Sequence, residues 1–209
     1  MLRLLIADDH DVVRAGLRRL LEARAGWSVV AEAADGKQAI TAALSHKPDV
    51  AIVDYSLPLL NGVEVTHQIR LRVPDTEVLI FTMSDNEALL QNLLRAGARG
   101  YLLKSDAECH LYSAVEALAQ KRTFLTGQAS EKVLHSYLSN STTDTVLTSR
   151  ERGIVQLIAE GKSNKAAAGI LNISNKTVET HRANVMHKLQ CVSTAALVRY
   201  AVRNKLIEP

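Results

Sequence analysis

The sequence predicts a doubly wound α/β domain with a five-stranded parallel sheet, followed by a small all-α domain of four helices. Three observations carry that prediction. Over roughly the first 120 residues, short apolar runs alternate with amphipathic stretches, the pattern of parallel strands joined by crossover helices. From Leu147 onward the strand-like runs stop and the period is helical throughout. Charge divides near the same place: from Asp144 to the end there are 10 Lys and Arg against 5 Asp and Glu, net +5, while the remainder is net −2. A chain of 209 residues suits two domains.

The elements follow in order. Strands are expected at 2–7, 28–33, 50–53, 77–81 and 100–103, with helices at about 11–25, 36–45, 62–72, 86–96 and 107–120. The first domain therefore takes residues 1–121. A linker over 122–145 contains the aperiodic "SNSTTDT", with a short helix expected at about 128–138 before it. The second domain, 146–209, has helices at about 149–159, 163–171, 176–189 and 194–204. Gly161 and Asn172 serve as local stops.

Parallel sheets place their sites beyond the carboxyl ends of the strands. Asp8 and Asp9 follow the first strand there, Asp54 the third, Thr82 the fourth and Lys104 the fifth. Three crowded carboxylates cost free energy unless a cation sits among them. Mg²⁺ prefers oxygen ligands and accepts one or two carboxylates with water. One carboxylate can then attack a phosphoryl group whose charge a lysine helps to neutralise. Taken singly, the residues have plainer readings. Asp8 and Asp9 suit a helix N-cap and its first turn, Lys104 suits an exposed surface, and Thr82 and Tyr101 suit strands.

In the basic domain, "LTSRE" carries an N-cap signal at Thr148 or Ser149, and "NIS" is a short turn between the second and third helices, with Ser174 as a cap. Two helices across a short turn fit either a helix-turn-helix or an ordinary helical hairpin. Sorting the third helix by face favours DNA. Val178, Val185 and Leu189 form one apolar stripe. Lys176, Glu179, Thr180, Ala183, Asn184, His187 and Lys188 face away from it, where they suit phosphates and base edges. Glu179 either accepts from a cytosine amine or bridges to Arg182 at i+3. His181 and His187 do not share a helical face and no cysteine or acid completes a zinc set.

The segments "ADDH", "VDYSLPLLNG", "FTMS" and "GYLLKS" resemble those of a receiver domain, the flavodoxin-like phosphoacceptor half of bacterial two-component response regulators. The D-x-x-x-P-x-x-x-G spacing falls on Asp54, Pro58 and Gly62. This resemblance implies that Asp54 accepts a phosphoryl group from a cognate histidine kinase. It further implies that Asp9, Asp54 and the Ser56 carbonyl hold Mg²⁺, that Asp8 acts through water, and that Thr82 and Lys104 bind the phosphoryl oxygens. Thr82 and Tyr101 would form a switch in which the tyrosine turns inward. The peptide after Lys104 is expected trans, because Ser105 replaces the proline common there.

The second half resembles the LuxR-type DNA-binding domain of the NarL/FixJ family, through "T-x-R-E", "G-K-S-N-K", "I-S-x-x-T-V-x-x-H" and "N-V-M-H-K-L". That implies double-stranded promoter DNA as partner, read on a palindromic site by a homodimer formed on activation. Lys165, Lys176, Thr177, Glu179, Thr180, Arg182, Asn184 and Lys188 are the expected DNA contacts. Leu197, Val198 and Ala201 of the last helix are the expected dimer seam, unless that helix spends its apolar face on its own core. Ala167 stands where the family commonly has isoleucine, so a buried site there would lose volume.

The reading is thus a phosphorylation-controlled transcription regulator rather than an enzyme, whose domain interface masks the third helix until phosphorylation releases it or favours a dimer. A haloacid-dehalogenase-type phosphohydrolase would need an acid at position 56, which is Ser56. A regulator with a degenerate receiver would lack part of the acidic set. Neither a signal-peptide pattern nor a long apolar run is present, and Cys109 and Cys191 form no CxxC pair, so a reduced cytoplasm is expected.

Overall fold

The computed structural model describes residues 1–85, 87–127, 129–131, 147–204 and 206–207. Residues 129–131, the described part of the helix expected at about 128–138, are helical; the rest of that helix and most of the linker lie outside the described residues. The first domain runs β1 (Leu2–Ala7), α1 (Asp11–Glu22), β2 (Trp27–Ala33), α2 (Gly36–His46), β3 (Val50–Asp54), α3 (Gly62–Arg72), β4 (Glu77–Thr82), α4 (Glu87–Arg95), β5 (Gly100–Leu103), α5 (Ala107–Ala119) and β6 (Phe124–Leu125). All strand pairs are parallel, in the order β2-β1-β3-β4-β5-β6. The expected doubly wound sheet is therefore present with one strand more than the five expected. The two-residue β6 is too short to show a period and lies in the stretch read as linker.

β3 and β4 are buried along their whole length, because helices cover both faces of the sheet. One core beneath α1 and α5 holds Leu4, Ile6, Leu17, Leu21, Ile52, Leu79 and Leu118. The opposite core holds Leu5, Val53, Val65, Ile69 and Ile80 and continues without a break into the second domain through Ile154, Val155, Leu157 and Ile158.

That domain is α6 (Ser149–Ala159), α7 (Asn164–Leu171), α8 (Asn175–Lys188) and α9 (Thr194–Arg203). Each start is a side-chain cap. Thr148 and Glu151 form a reciprocal capping box, and Ser163, Ser174 and Ser193 cap α7, α8 and α9. Asn172 ends α7 in the left-handed conformation. Ala167 is fully buried, as are Leu197 and Ala201.

The loop from Asp54 to Gly62 is shaped by two close approaches. A Cβ at position 62 would stand 2.9 Å from both the Asp54 carbonyl oxygen and the Tyr55 Cα, which is why the motif ends in glycine. Within the loop Leu59 has φ of 67°, a left-handed conformation for a bulky residue.

Candidate functional site

Asp54 ends β3 and is buried, 3% exposed. Lys104 opens a short 3-10 turn after β5 and its Nζ lies 2.7 Å from Asp8 Oδ2 and 3.1 Å from Asp54 Oδ2. In this state, then, a lysine supplies the positive charge among the carboxylates. Burial pushes the Asp54 carboxyl up to about 6, against the pull of Lys104. Burial draws the Lys104 ammonium down, but Asp54 and Asp8 outweigh it and the net shift is upward.

The sequence view passed over His10. Its Nδ1 lies 3.3 Å from Asp8 Oδ1 and 2.9 Å from Asp9 Oδ1, and Asp9 holds its imidazole above the usual range. His10 is also the N-cap residue of α1, so neither aspartate is merely a helix cap. Asp8 instead accepts the His10 backbone N–H at 2.9 Å. The signal was in the quoted "ADDH" but pointed to no role by residue type alone.

One ligand atom from each of Asp8, Asp9, His10 and Asp54 lies within 4.8 Å of the others. Asp9 Oδ1 is buried and accepts no hydrogen bond; His10 Nδ1 is at ion-pair distance but off the bonding direction. A buried carboxylate oxygen without a donor, in a set dominated by oxygens, fits a hard divalent cation. Ser56 is half-buried, and its backbone hydrogen-bonds the Asp54 carboxylate.

Thr82 ends β4 beside this group, 1% exposed, and its Oγ1 accepts the Ser84 N–H at 3.1 Å. Tyr101 is turned inward and buried, its hydroxyl donating to the Ser84 carbonyl; burial raises its pKa. Thr82 and Tyr101, the expected switch pair, thus meet at Ser84, which sequence reading did not mark. The Lys104–Ser105 peptide is trans.

The helical domain docks on the same end of the sheet. Gln156 of α6, 1% exposed, donates to the Leu57 carbonyl at 2.8 Å. Glu160 accepts the Leu59 N–H at 3.2 Å and the Gln156 amide at 2.8 Å. Tyr55, next to Asp54, is buried and hydrogen-bonded by Arg152; burial pushes its hydroxyl up against the pull of that guanidinium. Tyr55, Ser84 and Leu89 also line a cavity of about 70 Å³ with Tyr200 and Asn204 at the end of α9.

The docked face is therefore α6 with the C-terminal ends of α7 and α9, not α8. This corrects the expected masking: Lys176, Glu179, Thr180, Ala183, Asn184, His187 and Lys188 of α8 are all exposed, as is Lys165 of α7.

Several expected contacts have other partners. Arg182 donates to Asn164 Oδ1 at 3.2 Å and to Thr194 Oγ1 at 2.8 Å, so it ties α8 to the starts of α7 and α9 and does not bridge to Glu179. Glu179 instead accepts from Asn175 Nδ2 at 2.7 Å. Lys188 pairs with the buried Glu151 at 2.8 Å. Thr177 is half-buried in the cap of α8. On α9, Leu197 and Ala201 belong to the domain core, which removes them from the expected seam, whereas Val198 and Val202 are half-buried on another side of the helix. The period of a short helix gives its stripe but not which half of the stripe the domain itself uses.

Residues 4–116 match the response regulator receiver domain family, and residues 145–201 match the luxR family of bacterial regulatory proteins. The oxygen regulatory protein NreC of Staphylococcus epidermidis is 39% identical over 217 residues, covering 99% of this chain and 100% of that one. NreC of Staphylococcus aureus is 38% identical over 216 residues, with the same coverage. Among solved structures, RcsB of Salmonella enterica serovar Typhimurium, bound to the promoter rprA in the presence of a phosphomimetic beryllium fluoride, is 30% identical. It covers 95% of this chain and 97% of that one, with a TM-score of 0.69. A LuxR-family two-component response regulator from Aurantimonas is 36% identical over 65% of this chain and 97% of that one, with a TM-score of 0.62.

Proposed function

The chain belongs to the two-component response regulators that join a receiver domain to a LuxR-type DNA-binding domain, and on that premise we propose that Asp54 is its phosphoacceptor and that phosphorylation controls how α8 engages promoter DNA. The observation that carries this reading is the buried Asp54 carboxylate held beside Lys104, Asp8 and Thr82 at the ends of four neighbouring strands.

An Asp54 oxygen attacks the phosphorus of a phosphohistidine. The phosphorus–nitrogen bond breaks, and the histidine of the kinase leaves with its electron pair and takes a proton. Lys104 turns from the carboxylates to the new phosphoryl oxygens, and the Thr82 hydroxyl donates to another. Asp8, Asp9 and Asp54 with the Ser56 carbonyl are the residues that would hold Mg²⁺, whose charge offsets that of the phosphoryl group. Moving Thr82 disturbs its bond to Ser84, and with it the Tyr101 hydroxyl and the side of the receiver that meets α9. Because the reading face of α8 is already open, control falls on dimerisation, with Val198 and Val202 of α9 as the surface for a two-fold pair on a palindromic operator.

Incubation with a small phosphodonor and Mg²⁺ tests this. The expected product is an acyl phosphate that survives isolation and is absent from Asp54→Asn. Continuous release of phosphate would favour a phosphohydrolase, although Ser56 stands where that chemistry wants an acid. No labelling in the unaltered chain would indicate a DNA binder with a silent receiver.

A further inference from the structure

We infer that Glu179 selects cytosine in the operator half-site, with Asn175 holding its carboxylate in place. The inference rests on α8 being the reading helix, as proposed above. Glu179 is the one acid in Asn175–Lys188, is exposed on the same face as Lys176, Thr180, Ala183 and Asn184, and forms no ion pair among the described residues. Of the two cations three residues away along the helix, Arg182 is committed to Asn164 and Thr194, and Lys176 forms no ion pair with Glu179 among the described residues. Among the described residues the Glu179 carboxylate accepts one hydrogen bond, from Asn175 Nδ2, 2.7 Å from Oε1.

An unneutralised carboxylate turned toward phosphates is repelled. Over base edges it meets two kinds of donor in the major groove, the amines of cytosine and adenine. Adenine presents its amine beside the N7 acceptor, which repels a carboxylate. Cytosine presents N4–H with no acceptor of its own alongside, and thymine and guanine present acceptors at the corresponding positions. The bond from Asn175, one turn earlier, draws the carboxylate toward the start of α8, the part of a recognition helix that reaches base edges. It occupies Oε1 and leaves Oε2 for the cytosine amine. Glu179 is thus a specificity determinant and Asn175 its positioning residue.

The test is selection from a pool of random duplexes by the full chain, phosphorylated with a small phosphodonor and Mg²⁺, in parallel with Glu179→Gln and Glu179→Ala. The unaltered chain is expected to enrich a half-site with an invariant cytosine, whose change to thymine weakens binding about 5- to 100-fold. Glu179→Gln is expected to move the preference at that position to adenine, which a Gln side chain recognises through N6 and N7. Glu179→Ala is expected to bind all four bases there within about twofold while binding unrelated duplex more tightly. Asn175→Ala is expected to soften the cytosine preference without moving it. Identical preferences in all variants overturn the inference and leave the DNA-binding reading intact. A pool from which the unaltered chain enriches nothing overturns both.

Discussion

At the residue scale, the raised pKa of Asp54 has a measurable consequence. Its carboxyl titrates near 6 in the folded chain against an ordinary 3.8, so between those values the folded state binds more protons than the unfolded one. Stability therefore falls as pH rises through that window, and the full penalty, about 2–3 kcal/mol, is present above pH 6. Asp54→Asn removes it. In chelator at pH 7 the Asn variant should melt several degrees above the unaltered chain, and below pH ~4 the two should coincide. Mg²⁺ should narrow the pH 7 gap by stabilising the unaltered chain alone. A gap of equal size at both pH values would mean that solvent reaches Asp54 freely.

At the scale of elements, α8 and α9 separate what holds the helical domain together from what touches its partners. Arg182 bonds α7 and α9, so Arg182→Ala should lower the domain's stability by about 1–3 kcal/mol while leaving the salt dependence of DNA binding unchanged. Lys176→Ala should do the reverse: no loss of stability, and a slope against log salt shallower by about one. Chemical denaturation and binding titrations across salt concentrations report the two effects. Similarly, Leu197→Ala should cost about 2–5 kcal/mol as a core truncation. Val198→Asp should leave the domain folded and weaken binding to two half-sites far more than to one. If Val198→Asp unfolds the domain, the seam lies elsewhere.

The legibility of these elements differs for physical reasons. β1, β5, α3 and α6 have the expected bounds because each begins or ends on a strong local signal: an apolar run broken by Asp8, a glycine at 62 or 100, a capping box at Thr148. The pocket was legible because fixed topology brings strand ends together whatever lies between them. Long-range partner choice was not. Arg182 is near Glu179 along the helix, yet it is drawn to two helix starts that only the tertiary packing brings within reach. The docking of α6 left one overlooked trace: "GIVQLIA" is apolar nearly all round, and a helix of that kind is buried on more than one side.

At the scale of the whole molecule, docking and the proposed DNA reading use different surfaces. The receiver holds α6 and the ends of α7 and α9 while the outer face of α8 stays open. Phosphorylation should therefore change affinity for a single half-site little and raise affinity for a two-half-site operator strongly. Truncating Gln156 to alanine removes the buried bond to Leu57, and it should enlarge the radius of gyration of the unphosphorylated chain in small-angle scattering. An unchanged radius would mean that the shared apolar core suffices to keep the domains together.

The backbone at Leu59 bears on that equilibrium. A leucine with φ of 67° holds about 1–2 kcal/mol that a relaxed residue would not, and its N–H is satisfied by Glu160 from across the domain boundary. A turn that relaxes when Glu160 withdraws would return that strain and so push the domains toward separation. Glycine at this position would slacken it, and because both states compared are folded, the extra freedom of glycine in the unfolded chain cancels. Leu59→Gly should then hold the molecule shut, requiring roughly 5- to 30-fold more phosphodonor for half-maximal dimerisation in sedimentation experiments. Activation at the same dose as the unaltered chain would mean that the turn survives undocking and drives nothing.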